Sequence, residues 1–408
     1  MKKWLFLLVF VYVALEVSSF AMYSLVNRRL FSFKAINNKR QTVMIDSQQV
    51  GDLKVDGVRV PWNVSIHPYF GFGKPEGFDF LENKDSIAQS DPNGVVVAIT
   101  GGSVSQNVFK DSRNIIREYV ESVPAFKDKN IHVISIGHFA WKQPQQLTAL
   151  AYYLSMGGKL DILINLDGHN EVVDAGSNVM RAVFPAYPFL WYQLASNVLT
   201  VDRMNLIGDI NYLRRVKFYC AKLFAPLRFN IAMNVMWDVI DNYVSLKIDR
   251  KRADLEKTTD KDTKERPYYK YGPNRKFESP REAYEYFTQV WMNSSIQMDR
   301  LARGSGASYF HFLQPNQYVP DSKTFSDEEI EKYYKPKHIG VGIRRGYPLL
   351  LDASETLKEA GVEFHDLRMI FKNEPGTIYK DVHCHTNKKG RDMMAHAIGE
   401  IVSKHYGQ

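Results

Sequence analysis

A chain of 408 residues is long enough for two domains, or for one α/β domain with a large insertion. Hydrophobic residues at 45% and charged residues at 24% are ordinary for a globular protein, and the net charge of +8 comes in mixed runs. With no zinc-finger spacing, helix-turn-helix pattern or long basic stripe, this argues against nucleic acid as a partner, and two cysteines, Cys220 and Cys384, cannot form a disulfide framework.

The chain opens on Lys2 and Lys3, then runs apolar from Trp4 to Val26 with one charge, Glu16. Residues 4–26 suffice to cross a hydrocarbon core of roughly 30 Å. A carboxylate at the bilayer centre would weaken that span by about 2.5–3.5 kcal/mol. A cleaved signal peptide is the rival reading, with Trp4 to Leu15 as its apolar region and Ser19-Phe20-Ala21 as a cleavage site. We expect the uncleaved single-pass membrane anchor, over residues 1–27. Lys2 and Lys3 favour a cytoplasmic N-terminus, whereas Arg28, Arg29, Lys34, Lys39 and Arg40 crowd the other flank. The expectation is a body outside the cytoplasm.

Residues 28–90 read as a juxtamembrane lead-in that includes the aromatic stretch "VPWNVSIHPYFGFG". A regular alternation then begins. "GVVVAIT" (94–100), "NIHVISIG" (130–137) and "DILINLDG" (161–168) are apolar, β-branched runs, as expected of strands buried on both faces. Helical spacing separates them in "SRNIIREYVESV" and in "PQQLTALAYYLSMGG", which ends on glycine. A helix over 282–303 leads into a fourth strand, "ASYFHFLQP" (307–315); "YPLLLDASETLKEAG" leads into a fifth, "VEFHDLR" (362–368); a last helix covers 388–405. Five strands separated by helices predict an α/β fold, a three-layer doubly wound parallel sheet in two parts, 91–173 and 282–408. Ligands bind such sheets at the carboxyl ends of the strands.

Residues 174–281 interrupt the alternation. The first half is aromatic and Met-rich with helical periodicity, and predicts helices that pack on the main domain or form a lid or membrane-facing surface. The second half, "DRKRADLEKTTDKDTKERPYYKYGPNRK", predicts a mobile, solvated loop.

Three strand ends carry polar groups. The first runs into "ITGGSVSQ", which puts Ser103 in a glycine-flanked turn ahead of a helix, where amides favour developing negative charge. The third runs into "LDGHNEV", where the Asn170 amide can donate to an oxyanion or cap a turn. Asp167 and Glu171 on either side read as solvated loop carboxylates, with tuning of the site or binding of a polar substrate as the alternative. Near the end, "DVHCHTNKKG" offers Asp381 with two candidate bases, His383 and His385. Asp381, His383, Cys384 and His385 are also metal-ligand types, but neighbours on one short loop rarely complete a tetrahedral set. No metal or cofactor is expected.

Taken in order, Ser103, Gly168-His169-Asn170 and Asp381…His385 ahead of the last helix resemble the SGNH (GDSL-like) hydrolase family. The resemblance covers residues 94–172 and 305–405 and is strengthened by "KQPQQL", "DGHNE" and "FLQPNQY". It implies a flavodoxin-like SGNH fold with Ser103 as nucleophile, although Gly102 stands where the family has an acidic residue. It implies His385 as the base, because "HTNKKG" has the family's spacing to a glycine and His383 does not. Asp381 is one residue further from its histidine than is usual. That spacing resembles a branch reading Asp-x-Cys-Cys-His-x-Asn, with His383 in place of the first Cys. The oxyanion hole is implied to be the amide groups of Ser103, Ala140 and Asn170. In its second block the family has a glycine; aligning Gln145 puts Ala140 there, and Gly137 is the other candidate.

The expected function is therefore a serine esterase acting on an acylated carbohydrate or lipid. An O-acyltransferase on a polysaccharide and a non-catalytic binding module with the same fold are the alternatives.

Overall fold

The computed structural model describes residues 2–48, 54–55, 58–59, 65–73, 90–189, 191–194, 201–261, 268–337 and 339–407. Much of the lead-in, including 61–64 and 74–89, and residues 262–267 of the charged stretch lie outside the described residues. In chain order the principal elements are α1 (Lys2–Asn27), α2 (Phe33–Gln48), β1 (Gly94–Gly101), α3 (Ser103–Glu121), β2 (Asn130–Ser135), α4 (Gln145–Ser155), β3 (Ile162–Asp167) and α5 (His169–Met180). They continue with α6 (Val201–Phe224), α7 (Ile231–Lys261), α8 (Pro280–Gly304), β4 (Ser308–Leu313), α9 (Ile339–Glu359), β5 (Glu363–Asp366) and α10 (Lys388–Gly407). Two short antiparallel pairs, Lys54–Val55 with Val58–Arg59 and Ser65–His67 with Gly71–Gly73, precede β1. The chain divides into two compact units, Met1–Trp62 with Ser196–Arg266, and Asn63–Ala195 with Pro267–Gln408.

The larger unit is an α/β body on a five-stranded sheet of order β2-β1-β3-β4-β5, parallel throughout. Alternate residues of the three inner strands feed two cores, the requirement that makes their runs so apolar. Val95, Val97 and Ile99 pack with Val108 and Ile116 of α3 and with Met394 and Ile398 of α10. Val96 and Ala98 face the opposite layer, where Trp291 and Met298 of α8 meet Tyr347 and Leu350 of α9. The strand order reverses between β1 and β3, so the loops leaving those two strands diverge and open a crevice between them. Ser103 follows β1 and Asn170 follows β3.

The smaller unit is helical: α1, α2, α6 and α7 share a core of Tyr23, Ile36, Ala221, Phe224, Val235 and Trp237. The charged stretch expected to be a mobile loop is instead helical as far as Lys261. Its Lys, Arg, Ala, Leu and Glu are strong helix formers, and Lys251 pairs with Asp209 across the hairpin at 2.7 Å. α1 is long and apolar enough to cross a membrane.

Candidate active site

Ser103 is the first residue of α3, and the turn that delivers it needs glycine at position 101. Gly101 has φ +132, and a Cβ there would fall 2.1 Å from the Leu166 carbonyl oxygen. Ser103 Oγ lies 2.7 Å from His385 Nε2, and His385 Nδ1 lies 2.6 Å from Asp381 Oδ2. With Nδ1–H donating to the carboxylate, Nε2 is left to accept the serine proton, which is the tautomer a general base needs.

Asp381 and His385 sit on one tight loop. The amides of His383 and His385 both donate to Asp381 Oδ1, at 2.8 and 3.3 Å. Burial pushes the Asp381 carboxyl up. The hydrogen bond and charge of His385, with those two amides, outweigh it and hold the group below its usual value. The loop is closed by Lys380 N–H on the His385 carbonyl at 2.9 Å and by Cys384 at φ +62. His383 presents only its backbone to Asp381; its ring faces His169, centroids 6.3 Å apart, and burial leads the lowering of its pKa.

The segment after β4 clamps this loop. Gln317 Nε2 donates to the Asp381 carbonyl at 2.8 Å, Tyr318 Oη to the Val382 carbonyl at 3.2 Å, and Gln314 Nε2 to Cys384 Sγ at 3.1 Å. The Cys384 thiol is buried, which raises its pKa well above the ordinary value. Among the described residues no group of three or more His, Cys, Asp or Glu side chains is arranged to hold a metal.

The expected oxyanion loops converge on Gly102. A Cβ there would lie 2.4 Å from Asn170 Nδ2 and 3.4 Å from the Trp141 carbonyl oxygen. That crowding leaves room for glycine at position 102 and for no larger residue without a shift of Asn170. Asn170 Nδ2 spends one hydrogen on the Trp141 carbonyl at 2.8 Å and keeps the second. Trp141 N–H closes a turn on the His138 carbonyl at 3.2 Å, and Ala140 inside that turn has φ +55, the left-handed conformation that favours glycine. Gly137 has a different task, since a Cβ there would meet Gly101 N and O at 2.8 Å each.

Two expectations about carboxylates are corrected. Asp167 and Glu171 are buried, at 1% and 3% exposure, because the loop after β3 turns straight into α5 under covering side chains. Glu171 accepts from Gly168 N–H at 2.8 Å, Gln143 N–H at 3.2 Å and Gln146 Nε2 at 3.2 Å, which ties the Gly-x-Asn turn to the loop carrying Ala140. Burial and the nearby Asp167 push its pKa well above the usual carboxylate range. Asp167 accepts from Trp291 Nε1 at 2.8 Å and Asn165 Nδ2 at 2.9 Å, with His311 Nε2 also 2.9 Å away. His169 Nδ1 accepts from Asn316 Nδ2 at 2.9 Å, and burial brings its pKa down to about 3, so the ring is neutral.

The sequence reading took Glu171 as solvated and did not name the Trp141 carbonyl, Gln317 or Tyr318. A polar run directly after an apolar strand, "QPNQY", was the available signal for the last two. No protein-family model matches this chain, and no curated protein matches it.

Proposed function

We propose that the protein is a serine esterase of the SGNH type, held at a membrane by α1, with its α/β body outside the cytoplasm. The observation that carries the proposal is the relay Ser103–His385–Asp381, at 2.7 and 2.6 Å, at the carboxyl end of a parallel sheet. In the reaction His385 takes the Ser103 proton as Oγ attacks an ester carbonyl. Asp381 stabilises the imidazolium that forms. The oxyanion is received by the amides of Ser103 and Ala140 and by the uncommitted hydrogen of Asn170 Nδ2. His385 then returns its proton to the leaving alcohol, leaving an acyl-enzyme on Ser103. Water attacks that ester in a hydrolase, a sugar hydroxyl in an O-acyltransferase. The substrate class proposed is an acylated carbohydrate or lipid, by analogy with the fold.

The test is p-nitrophenyl acetate hydrolysis by the full chain in detergent. Ser103→Ala and His385→Gln should abolish the release of nitrophenolate and His383→Gln should retain it. Labelling of Ser103 by a serine-reactive phosphonate with no hydrolysis would favour the acyltransferase. Absence of both in a folded sample would leave the binding module.

A further inference from the structure

The α6–α7 hairpin carries an apolar tip that the esterase chemistry does not use. Between Lys217 and Asp238 the chain reads "FYCAKLFAPLRFNIAMNVMW", with Lys222 and Arg228 as its only charges. Tyr219, Leu223, Leu227, Phe229 and Met236 are exposed there, Phe229 at 77%. An ion-pair layer bounds the tip: Asp241 lies 3.1 Å from both Lys39 and Lys217, and Lys39 is 2.6 Å from Asp238.

The tip is docked to α1 by the one charged residue of the apolar run. Glu16 accepts from the Ile231 and Ala232 amides at 2.7 and 3.4 Å, capping α7, and Asn230 Nδ2 donates to the Tyr12 hydroxyl at 3.0 Å. Glu16 lies 11 residues before the end of α1 at Asn27, roughly 16 Å along the axis. A leaflet's share of the hydrocarbon core is about 15 Å. From the ion-pair layer to the tip each leg of the hairpin is about 7 residues, or roughly 10 Å, so with the tip level with Glu16 the ion-pair layer lies that much nearer the headgroups.

We infer that the α6–α7 tip is a second membrane element, bedded in the leaflet on the Asn27 side of α1 with its apolar side chains among the acyl chains. The inference rests on the reading of α1 as a membrane span. It turns the weakness of that span, Glu16, into the contact that holds the hairpin at depth.

The experiment uses full-length protein in vesicles of phosphatidylcholine and phosphatidylglycerol, on a Cys220→Ser background; Cys384 is buried and does not react with the label. Single cysteines at Val9, Phe229 and Asp249 carry an environment-sensitive fluorophore, read with acyl-chain spin-labelled lipid and with aqueous iodide. Both Val9 and Phe229 labels should lose emission to the spin-labelled lipid and resist iodide, with Asp249 showing the reverse. Val9 quenched by lipid but Phe229 by iodide alone overturns the inference and leaves the span intact. Val9 quenched by iodide alone overturns the span and the inference with it. A Phe229 label shielded from both quenchers overturns the inference in favour of a protein-covered tip.

Discussion

Ala140 holds a side chain in a conformation that costs an L-residue about 1–2 kcal/mol, next to the carbonyl that engages Asn170. Ala140→Gly removes the strain and loosens the unfolded chain, so the two effects offset to within about 1 kcal/mol. Its kcat/KM should match the parent because the amide donor is kept, whereas β-branched Ala140→Val should lose activity. Asn170→Ala should lower kcat about 10²–10³-fold by removing one oxyanion donor. Steady-state kinetics of the three variants would check both statements; an unaffected Asn170→Ala would remove that side chain from the oxyanion hole. That Ser103 and His385 meet, with Asn170 nearby, could be anticipated from the sequence because strand ends fix the place of such residues. The Trp141 carbonyl could not, since every residue has one. Glu171 was misread because burial is a tertiary property, and a carboxylate next to a turn gives no sign of what covers it.

At the scale of elements, Lys142 joins the loop carrying Ala140 to the segment after α5. It is fully buried, with Nζ donating to the Pro185 and Tyr187 carbonyls at 2.5 and 2.6 Å. Burial takes its pKa from 10.5 to about 8, against the opposing pull of Asp174 and Glu171. A lysine depressed in the folded state opposes folding below pH 8, and that opposition fades as pH rises from 8 to 10.5. Denaturant titrations should therefore show wild type gaining on Lys142→Met by up to about 3 kcal/mol across that window. A gap independent of pH would mean the amine is ordinary. The five strands were legible to within two residues at each end, the inner three because cover on both faces demands apolar runs and the two edge strands because each lies between helical segments. The start of α9 was not, since "IGVGIRRG" reads as a loop. Its glycines serve a close helix crossing: a Cβ at Gly346 would meet Val172 Cγ1 at 2.3 Å.

For the molecule as a whole, the helical body is assembled from two stretches separated by the first half of the α/β unit. Periodicity marked helices in the first half of the insertion and an unbroken apolar run marked α1, whereas α2 was read only as part of a juxtamembrane lead-in. It could not pair α1 and α2 with α6 and α7, because a face does not name its partner. Arg40 illustrates the density of that pairing: its guanidinium donates to Asn234 Oδ1 at 2.6 Å and lies 4.6 Å from the centroid of the Trp237 ring. Glu16→Ala should cost this body about 1 kcal/mol, the usual worth of a helix cap. Hydrogen exchange at Ile231 and Ala232 should quicken about fivefold, while Val96 to Ile99 in the sheet and the rate of ester hydrolysis stay unchanged. Uniform loss of protection in both units would refute that separation.

The bond from Glu16 to α7 also sets an order in time. Its partners are 215 residues apart, so at the usual pace of translation α1 leaves the ribosome roughly 10–40 s before Ile231 is made. Throughout that interval the newborn helix must enter its surroundings with Glu16 unpartnered by α7, which is made only after the strand and helix that flank Ser103 have already been synthesised.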